Sequence, residues 1–127
     1  MLKILPIQTK DEQEKLMTLC SIPFRPEALA YAAYVEDTLV GGAQFTLSGG
    51  ICRLLDIRSP EGVDDDEALF IMGRGLLNFV DLCGIHDAYA INEGNMDKKL
   101  LARIGFWKND KGEEYMNLRG FFTEHKH

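Results

Sequence analysis

Hydrophobic and polar residues recur along this chain with two periods, and these periods predict its helices and strands. The longest periodic segment, residues 66–83, has apolar residues every three or four positions and predicts an amphipathic helix. Between residues 43 and 47 apolar and polar residues alternate, which predicts a half-buried antiparallel strand. Residues 88–91 are apolar at every position, as is typical of a central strand that is covered on both faces.

Residues that cap helices separate these segments. Thr9 and Glu12 have the spacing of a capping box ahead of a first helix. Asn95 is the predicted N-cap of a last, short helix. Gly105 fits the left-handed position that follows such a helix, and Phe106 is then expected to fold back onto its last turn.

Turn residues divide the predicted strands. Residues 109–112 predict a hairpin turn, and Gly41 with Gly42 predicts a bend or bulge inside a strand. The predicted strands cover residues 2–8, 31–36, 43–47, 51–58, 85–91, 106–108 and 114–119. Helices between strands, together with an antiparallel meander, predict an α/β (α+β) fold with a mixed central sheet and helices on both faces.

Length and composition restrict the class of protein. The 127 residues, of which 46% are hydrophobic and 27% charged, predict one globular domain, residues 1–127. No apolar run approaches the roughly 18 residues that a membrane helix needs, so no membrane association is expected. Three widely spaced cysteines are typical of a reducing, cytoplasmic compartment. The net charge of −6 argues against nucleic acid as a partner, because phosphates require a basic surface.

Two segments resemble the GNAT acetyltransferase family. Residues 100–106, L-L-A-R-I-G-F, are similar to the "L-Y-E-K-L-G-F" run that ends the last helix of that family, and Asn95 precedes them as an asparagine does there. Residues 31–42 resemble the family's hairpin, in which a strand, an acidic turn and a "V-G" pair follow one another. The order of the elements extends the resemblance over nearly the whole chain.

The resemblance implies a site for acetyl-CoA as co-substrate. In the family, the pantetheine arm lies in a gap between the strands that correspond to residues 51–58 and 85–91, and the pyrophosphate lies at the start of the long helix, where amides attract an anion. Acetyl transfer then goes directly to an amine acceptor, a small molecule or a protein. The cofactor-binding residues that the resemblance implies are Leu55, Ile57, Val63, Asp66, Ala68, Asn92 and Asn95.

The sequence departs from the family pattern at two functional positions. Asp66 stands where the family has a glycine, and an aspartate both accepts helix-start amides and repels phosphate. Leu101 stands where the family has the tyrosine that protonates the leaving thiolate. Arg58 and Arg74 are the cations that would offset the repulsion if they reach the loop. The carboxylates of residues 64–67 stabilise the helix dipole by about 0.3–1 kcal/mol each, and no metal site is expected from them.

The catalytic residues stay open at this point. Glu36, Asp56 and Tyr89 are the candidates, since each lies near a predicted strand end or the expected gap. The two departures point to a competing interpretation, a regulatory domain that binds acyl-CoA without catalysis, and a third interpretation is an interaction protein that has lost the cofactor.

Aromatic residues near the C-terminus have two interpretations. Phe106, Trp107, Phe121 and Phe122 either form an exposed patch, and hence the contact of a homodimer, or close the core. His125 and His127 have no spacing typical of a metal site, so terminal disorder is expected there.

Overall fold

The computed structural model describes residues 1–122, which form a seven-stranded sheet and three helices. The expectation for His125 and His127 concerns residues outside this range. The strands are β1 (Leu2–Pro6), β2 (Leu29–Val35), β3 (Thr38–Ser48), β4 (Ile51–Arg58), β5 (Asp87–Ala90), β6 (Trp107–Lys108) and β7 (Glu114–Asn117). The helices are α1 (Lys10–Leu19), α2 (Asp66–Leu82) and α3 (Lys98–Ile104). The predicted order of elements is confirmed.

The sheet is mixed, as the sequence predicts. Its strands lie in the order β1-β2-β3-β4-β5-β7-β6, and only the β4–β5 pair is parallel. Strand β5 begins two residues later than predicted because the Ile85 amide donates to the Val80 carbonyl and ends α2. Among residues 1–122, no helix is both long and apolar enough to cross a membrane.

Two adjacent glycines show that helices cover both faces of the sheet. Successive residues of a strand point to opposite faces. A Cβ atom on Gly41 would lie 2.7 Å from Leu69 of α2, whereas a Cβ atom on Gly42 would lie 2.9 Å from Met17 of α1. The two glycines therefore allow α1 and α2 to approach β3 closely from either side.

The two strands of the central meander each contain an extra residue. Val40 in β3 has no partner in β2, next to the Gly41–Gly42 pair where a bend or bulge is predicted. Leu55 in β4 has no partner in β3, since Asp56 pairs with Gln44 and Leu54 pairs with Phe45. The bulge at Leu55 is not apparent in the sequence, and the candidate site begins there.

The ends of α3 confirm one prediction and correct another. The N-cap is Asp97, whose side chain accepts from the Lys99 amide, so the prediction that Asn95 caps this helix is wrong. Asn95 lies too far before the first helical residue and bonds to β4 instead. At the other end, the Gly105 and Phe106 amides both donate to the Leu101 carbonyl, which is the predicted Schellman-type stop.

The late aromatic residues mostly close the core. Phe106 is 4% exposed, and Phe121 and Phe122 pack against the main core beneath α2 and α3. Trp107 alone among the four is largely exposed, at 55%, and its ring contacts the Tyr115 ring edge to face. The structure therefore favours the second of the two interpretations, and a homodimer stays a prediction.

Candidate functional site

Strands β4 and β5 separate halfway along β4. Their parallel pairing ends at Leu54 and Ala90, with one further bond from the Ile91 amide to the Leu54 carbonyl at 2.9 Å. Strand β4 continues four residues beyond this point to Arg58, whereas the chain after β5 leaves the sheet and leads to α3. A gap therefore opens beside residues 55–58, at the position that the resemblance predicts.

Two asparagines build the segment that forms the other wall of the gap. The side-chain Oδ1 atom of Asn92 accepts from the main-chain amides of Gly94 and Met96, and its Nδ2 atom donates to the Met96 carbonyl. Asn95 reaches across the gap, where its Nδ2 atom donates to the Leu55 carbonyl at 2.9 Å and to Asp56 Oδ1 at 3.0 Å. Both side chains thus fix residues 91–97 in place, and their predicted role in cofactor binding stays a prediction.

Asp56, one of the predicted catalytic residues, is 3% exposed and lies among three donors. Its Oδ2 atom accepts from Arg25 Nε at 2.7 Å and from Gln44 Nε2 at 2.9 Å, while its Oδ1 atom accepts from Asn95. The hydrogen bond between Arg25 and Asp56 is the main cause that raises the pKa of Arg25 above its usual value. A general base needs a lone pair that faces the substrate. The geometry therefore favours a structural role for Asp56, and its role as a base stays a prediction.

A chain of buried amides extends from Asp56 to α1. The Gln44 Oε1 atom accepts from Gln13 Nε2 at 2.9 Å, and Gln13 Oε1 accepts from Lys10 Nζ at 3.0 Å. The Gln44 side chain also donates to the Pro23 carbonyl and accepts from the Arg25 main-chain amide. These two bonds fix the loop between α1 and β2 to strand β3. Sequence reasoning missed Arg25 and Gln44, because the period of two places Gln44 on a polar face that was expected to be exposed.

A cleft of about 710 Å³ lies against the gap. Its walls are the end of β4, the loop after it, the start of α2, and the segment that leads into α3. Of the predicted cofactor-binding residues, Ile57, Val63, Asp66 and Asn95 line this cleft, whereas Leu55, Ala68 and Asn92 do not. The structure thus brings four of these residues to one cleft.

The charge of this cleft is unlike that of a phosphate site. Among residues 1–122, four carboxylates line it and Arg58 is the one cationic lining residue; the carboxylates belong to Glu61, Asp64, Asp66 and Asp97. Arg74 does not reach the loop, because its guanidinium donates to the Ile104 carbonyl at 2.5 Å and lies over the Phe70 ring. Of the two cations that the sequence offers to offset the repulsion, only Arg58 is at the cleft.

The start of α2 is partly capped by the protein itself. Asp65 is the N-cap residue, and its Oδ1 atom accepts from the Ala68 amide at 3.0 Å. Asp66 and Glu67 follow in the first turn, and Glu67 pairs with Arg103. Within residues 1–122 no group of three or more acidic, histidine or cysteine side chains is arranged to hold a metal ion.

Tyr89 lies at a second cleft of about 530 Å³. The segment that contains Gly94 and Met96 separates this second cleft from the first. Its ring packs 5.1 Å from the ring of Tyr115. The Tyr115 hydroxyl donates to Asp87 Oδ1 at 2.6 Å, and this bond raises the pKa of Tyr115 to about 12. Gly94 and Met96 line both clefts, so Tyr89 is the predicted catalytic residue that stands nearest to an open site.

Two further residues that the sequence analysis discusses, Glu36 and Leu101, do not line either cleft. Glu36 is exposed in the turn between β2 and β3, where its carboxylate pairs with the N-terminal amine of Met1. Leu101, at the position of the family tyrosine, is fully buried in the core. The structure therefore does not bring Glu36, Asp56 and Tyr89 together at one site.

Comparison with solved structures places this architecture among known folds. A GNAT-family acetyltransferase from Staphylococcus aureus Mu50 is 13% identical, with a TM-score of 0.70 over 93% of this chain and 99% of that one. The PaiA N-acetyltransferase of Thermoplasma acidophilum, solved in complex with coenzyme A, is 12% identical, with a TM-score of 0.68 over 91% and 97%. The ribosomal-protein-S18-alanine N-acetyltransferase of Escherichia coli is 12% identical, with a TM-score of 0.66 over 91% and 89%.

The fold is that of the GNAT acetyltransferases, as the sequence resemblance predicts. No protein-family model and no curated protein matches the sequence itself. At these levels of identity, the similarity concerns the fold and leaves the chemistry of the cleft to be argued from its residues.

Proposed function

We propose that this protein binds an acyl thioester in the cleft beside β4 and transfers the acyl group to an amine. The observation that carries the proposal is that β4 runs on beyond Leu54 without a strand partner on the β5 side, and that its end lines the 710 Å³ cleft. An extended amide-containing arm such as pantetheine can bind to such an edge as an added strand binds to a sheet. The structures of similar fold that contain coenzyme A support the choice of acyl-CoA as the donor.

The reaction needs no covalent enzyme intermediate. The amine nitrogen attacks the thioester carbonyl, the carbon–sulfur bond breaks, and the thiolate takes up a proton while the amine loses one. Holding the two reactants in attack geometry can supply much of the rate. Asn95 serves this purpose, because its hydrogen bond to the Leu55 carbonyl links the two walls of the gap.

Few side chains at the cleft can donate a proton to the leaving thiolate. Leu101 has no proton to give, so the thiolate must be protonated by another group or by water. Tyr89 is our candidate for this role, since it is half-buried at the neighbouring cleft and shares its lining residues Gly94 and Met96 with the first. The acceptor in this proposal is a small-molecule or protein amine.

Two observations favour a second function, in which the domain binds an acyl thioester but does not transfer the acyl group. Leu101 is 0% exposed and contributes to the core, and Asp56 is held by three hydrogen bonds. A domain with these features can bind an acyl thioester without transferring the acyl group. Binding and turnover therefore have to be measured separately.

The experiment uses the purified full chain with two donors, acetyl-CoA and acetyl-pantetheine. A ligand at a hundredfold excess over its Kd stabilises the folded state by about 2.7 kcal/mol, which raises the melting temperature. Turnover is then followed by mass spectrometry against a panel of amines, with Tyr89→Phe compared with Tyr34→Phe as a control outside both clefts. Acetylated product that falls in Tyr89→Phe alone supports the full proposal.

The remaining outcomes distinguish the two functions. Binding of either donor without acetylated product supports the non-catalytic domain. A melting temperature that neither donor changes at millimolar concentration would overturn both.

A further inference from the structure

We infer that this cleft recognises the pantetheine arm of its donor and that the diphosphate of coenzyme A adds nothing to the affinity. This inference rests on the proposed function, because it specifies which part of the donor the protein binds. It starts from the mismatch between the two halves of the cleft: the edge of β4 suits an uncharged arm, whereas the start of α2 does not suit an anion.

The carboxylates at the cleft lack cationic partners. Glu61, Asp64, Asp66 and Asp97 are all exposed, and no ion pair within 4 Å involves any of them in the described part of the chain. With Arg58 as the one cation in the lining, three negative charges remain uncompensated. A diphosphate entering this cleft meets charges of its own sign.

The dipole of α2 is too weak to reverse this repulsion. A helix N-terminus carries the equivalent of roughly half a positive charge, which is what attracts phosphates in other proteins. Here Asp65 already accepts from the Ala68 amide, and full negative charges on Asp66 and Glu67 occupy the first turn. The carboxylates therefore outweigh the dipole.

Other cations near the cleft are committed elsewhere. Arg103 is paired with Glu67, and Arg74 donates to main-chain carbonyls of α3 between the rings of Phe70 and Phe121. Arg58 itself is exposed, and its guanidinium lies 3.5 Å from the Ser21 carbonyl. Lys99 lies with Asp66 and Asp97 at a small adjoining pocket, but it does not line the cleft itself. Among the described residues, Arg58 is therefore the cation placed to meet a diphosphate inside the cleft.

Apolar side chains and the end of β4 also contribute to the lining of the cleft. Buried apolar side chains line it beside the edge of β4; they belong to Ile57, Leu69, Met96 and Leu100. An uncharged chain of methylenes and amides loses little by entering such a surface, since its amides bond to the strand and its carbons leave water. The structure therefore favours the pantetheine arm over the nucleotide.

Calorimetric titration of the full chain with coenzyme A, dephospho-coenzyme A and pantetheine tests the inference. We expect coenzyme A and dephospho-coenzyme A to bind no more tightly than pantetheine, because their phosphates gain no attraction and meet carboxylates of their own sign. The affinity for coenzyme A should rise when salt is increased from 50 to 300 mM, because salt screens the repulsion. An ordinary phosphate site shows the opposite dependence on salt.

Removal of the repelling charges gives a second, independent readout. Asp64→Asn combined with Asp66→Asn should tighten the binding of coenzyme A by about fivefold or more, since one unit-charge contact in water is of that size. The binding of pantetheine should not change. Asp110→Asn, in the hairpin turn away from the cleft, is the matched control and should alter neither ligand.

The outcomes separate this inference from the proposed function. Binding of coenzyme A that is tenfold or more tighter than that of pantetheine, or that weakens as salt is added, would overturn the inference and leave the function standing. Failure of all three ligands to bind would overturn the function and the inference with it.

Discussion

The Asn95 side chain donates a 2.9 Å hydrogen bond to the main-chain carbonyl of Leu55, forty residues earlier in the sequence. Leu55 is the bulged residue at which β4 parts from β5, and the same Asn95 nitrogen also bonds to Asp56. These two hydrogen bonds fix the position of one wall of the gap relative to the other. This arrangement pre-organises the edge of β4 on which the proposed function depends.

The first prediction concerns this contact. Asn95→Ala should lower the free energy of unfolding by about 1–3 kcal/mol, because the Leu55 carbonyl and the Asp56 carboxylate each lose a donor in a partly buried place. Urea denaturation measures the loss, and Asn78→Ala on the exposed side of α2 is the control, with an expected change within about 0.5 kcal/mol. Hydrogen exchange at residues 55–57 should become faster in Asn95→Ala. Unchanged stability and exchange would show that the contact does not hold the gap.

The second prediction separates the structural role of Asp56 from a catalytic one. Asp56→Asn places an amide opposite three donors and removes the charged partner of the half-buried Arg25 guanidinium, which should cost about 1–3 kcal/mol of unfolding free energy. Asp110→Asn should leave stability within about 0.5 kcal/mol. Turnover per folded molecule should stay near the wild-type value. Loss of that turnover with donor binding intact would instead identify Asp56 as the general base.

Glycine conformation supplies the third prediction. Gly105 has a φ of 135°, and a Cβ atom there would lie 2.8 Å from Met116 Cε, so Gly105→Ala should destabilise the fold by about 1–3 kcal/mol. Gly75 lies within α2, where a Cβ atom would meet nothing closer than 3.8 Å. Gly75→Ala should therefore stabilise the protein by about 0.5–1 kcal/mol. Urea denaturation of both variants checks the opposite signs, and equal changes would contradict the prediction.

The cysteines give a prediction about reactivity and pH. Burial raises the pKa of Cys20 to about 11 and that of Cys52 to about 12, from a usual value of 9.0, whereas Cys83 is exposed. At pH 8 a disulfide reagent should modify one thiol rapidly in the native protein, because the thiolate is the reactive form. Cys83→Ser should abolish this rapid phase. Rapid modification of two or three thiols would contradict the buried positions.

The same pKa values set the sign of an alkaline effect on stability. Since the folded pKa values lie above the unfolded value of 9.0, the folded state is favoured by keeping both thiols protonated. This contribution is fully present below pH 9 and is lost as the pH rises through about 11 and 12. Cys20→Ala should accordingly show a shallower loss of stability above pH 9 than the wild type, as measured by urea denaturation across that range.

Local signals in the sequence were sufficient for much of the fold. The capping threonine Thr9 accepts from the Glu12 amide at 3.1 Å as predicted, and Gly105 ends α3 in the predicted way. Such signals are local, because a cap or a period depends on residues within a few positions of one another. The prediction at Asn95 was wrong for the opposite reason: its partner is forty residues away, and Asp97 was available as a nearer cap.

The sequence by itself determined the succession of helices and strands, the mixed sheet and the carboxylates at the start of α2, because periodicity, capping and charge are properties of neighbouring residues. Only the tertiary structure decided that Gln44 is buried, that Arg25 meets Asp56, and that Leu55 forms the bulge at which the gap opens. These relationships join residues that are more than ten positions apart, and hydrogen bonds between distant segments follow from how the strands align and the helices pack. The pattern along the chain contains no signal for that alignment.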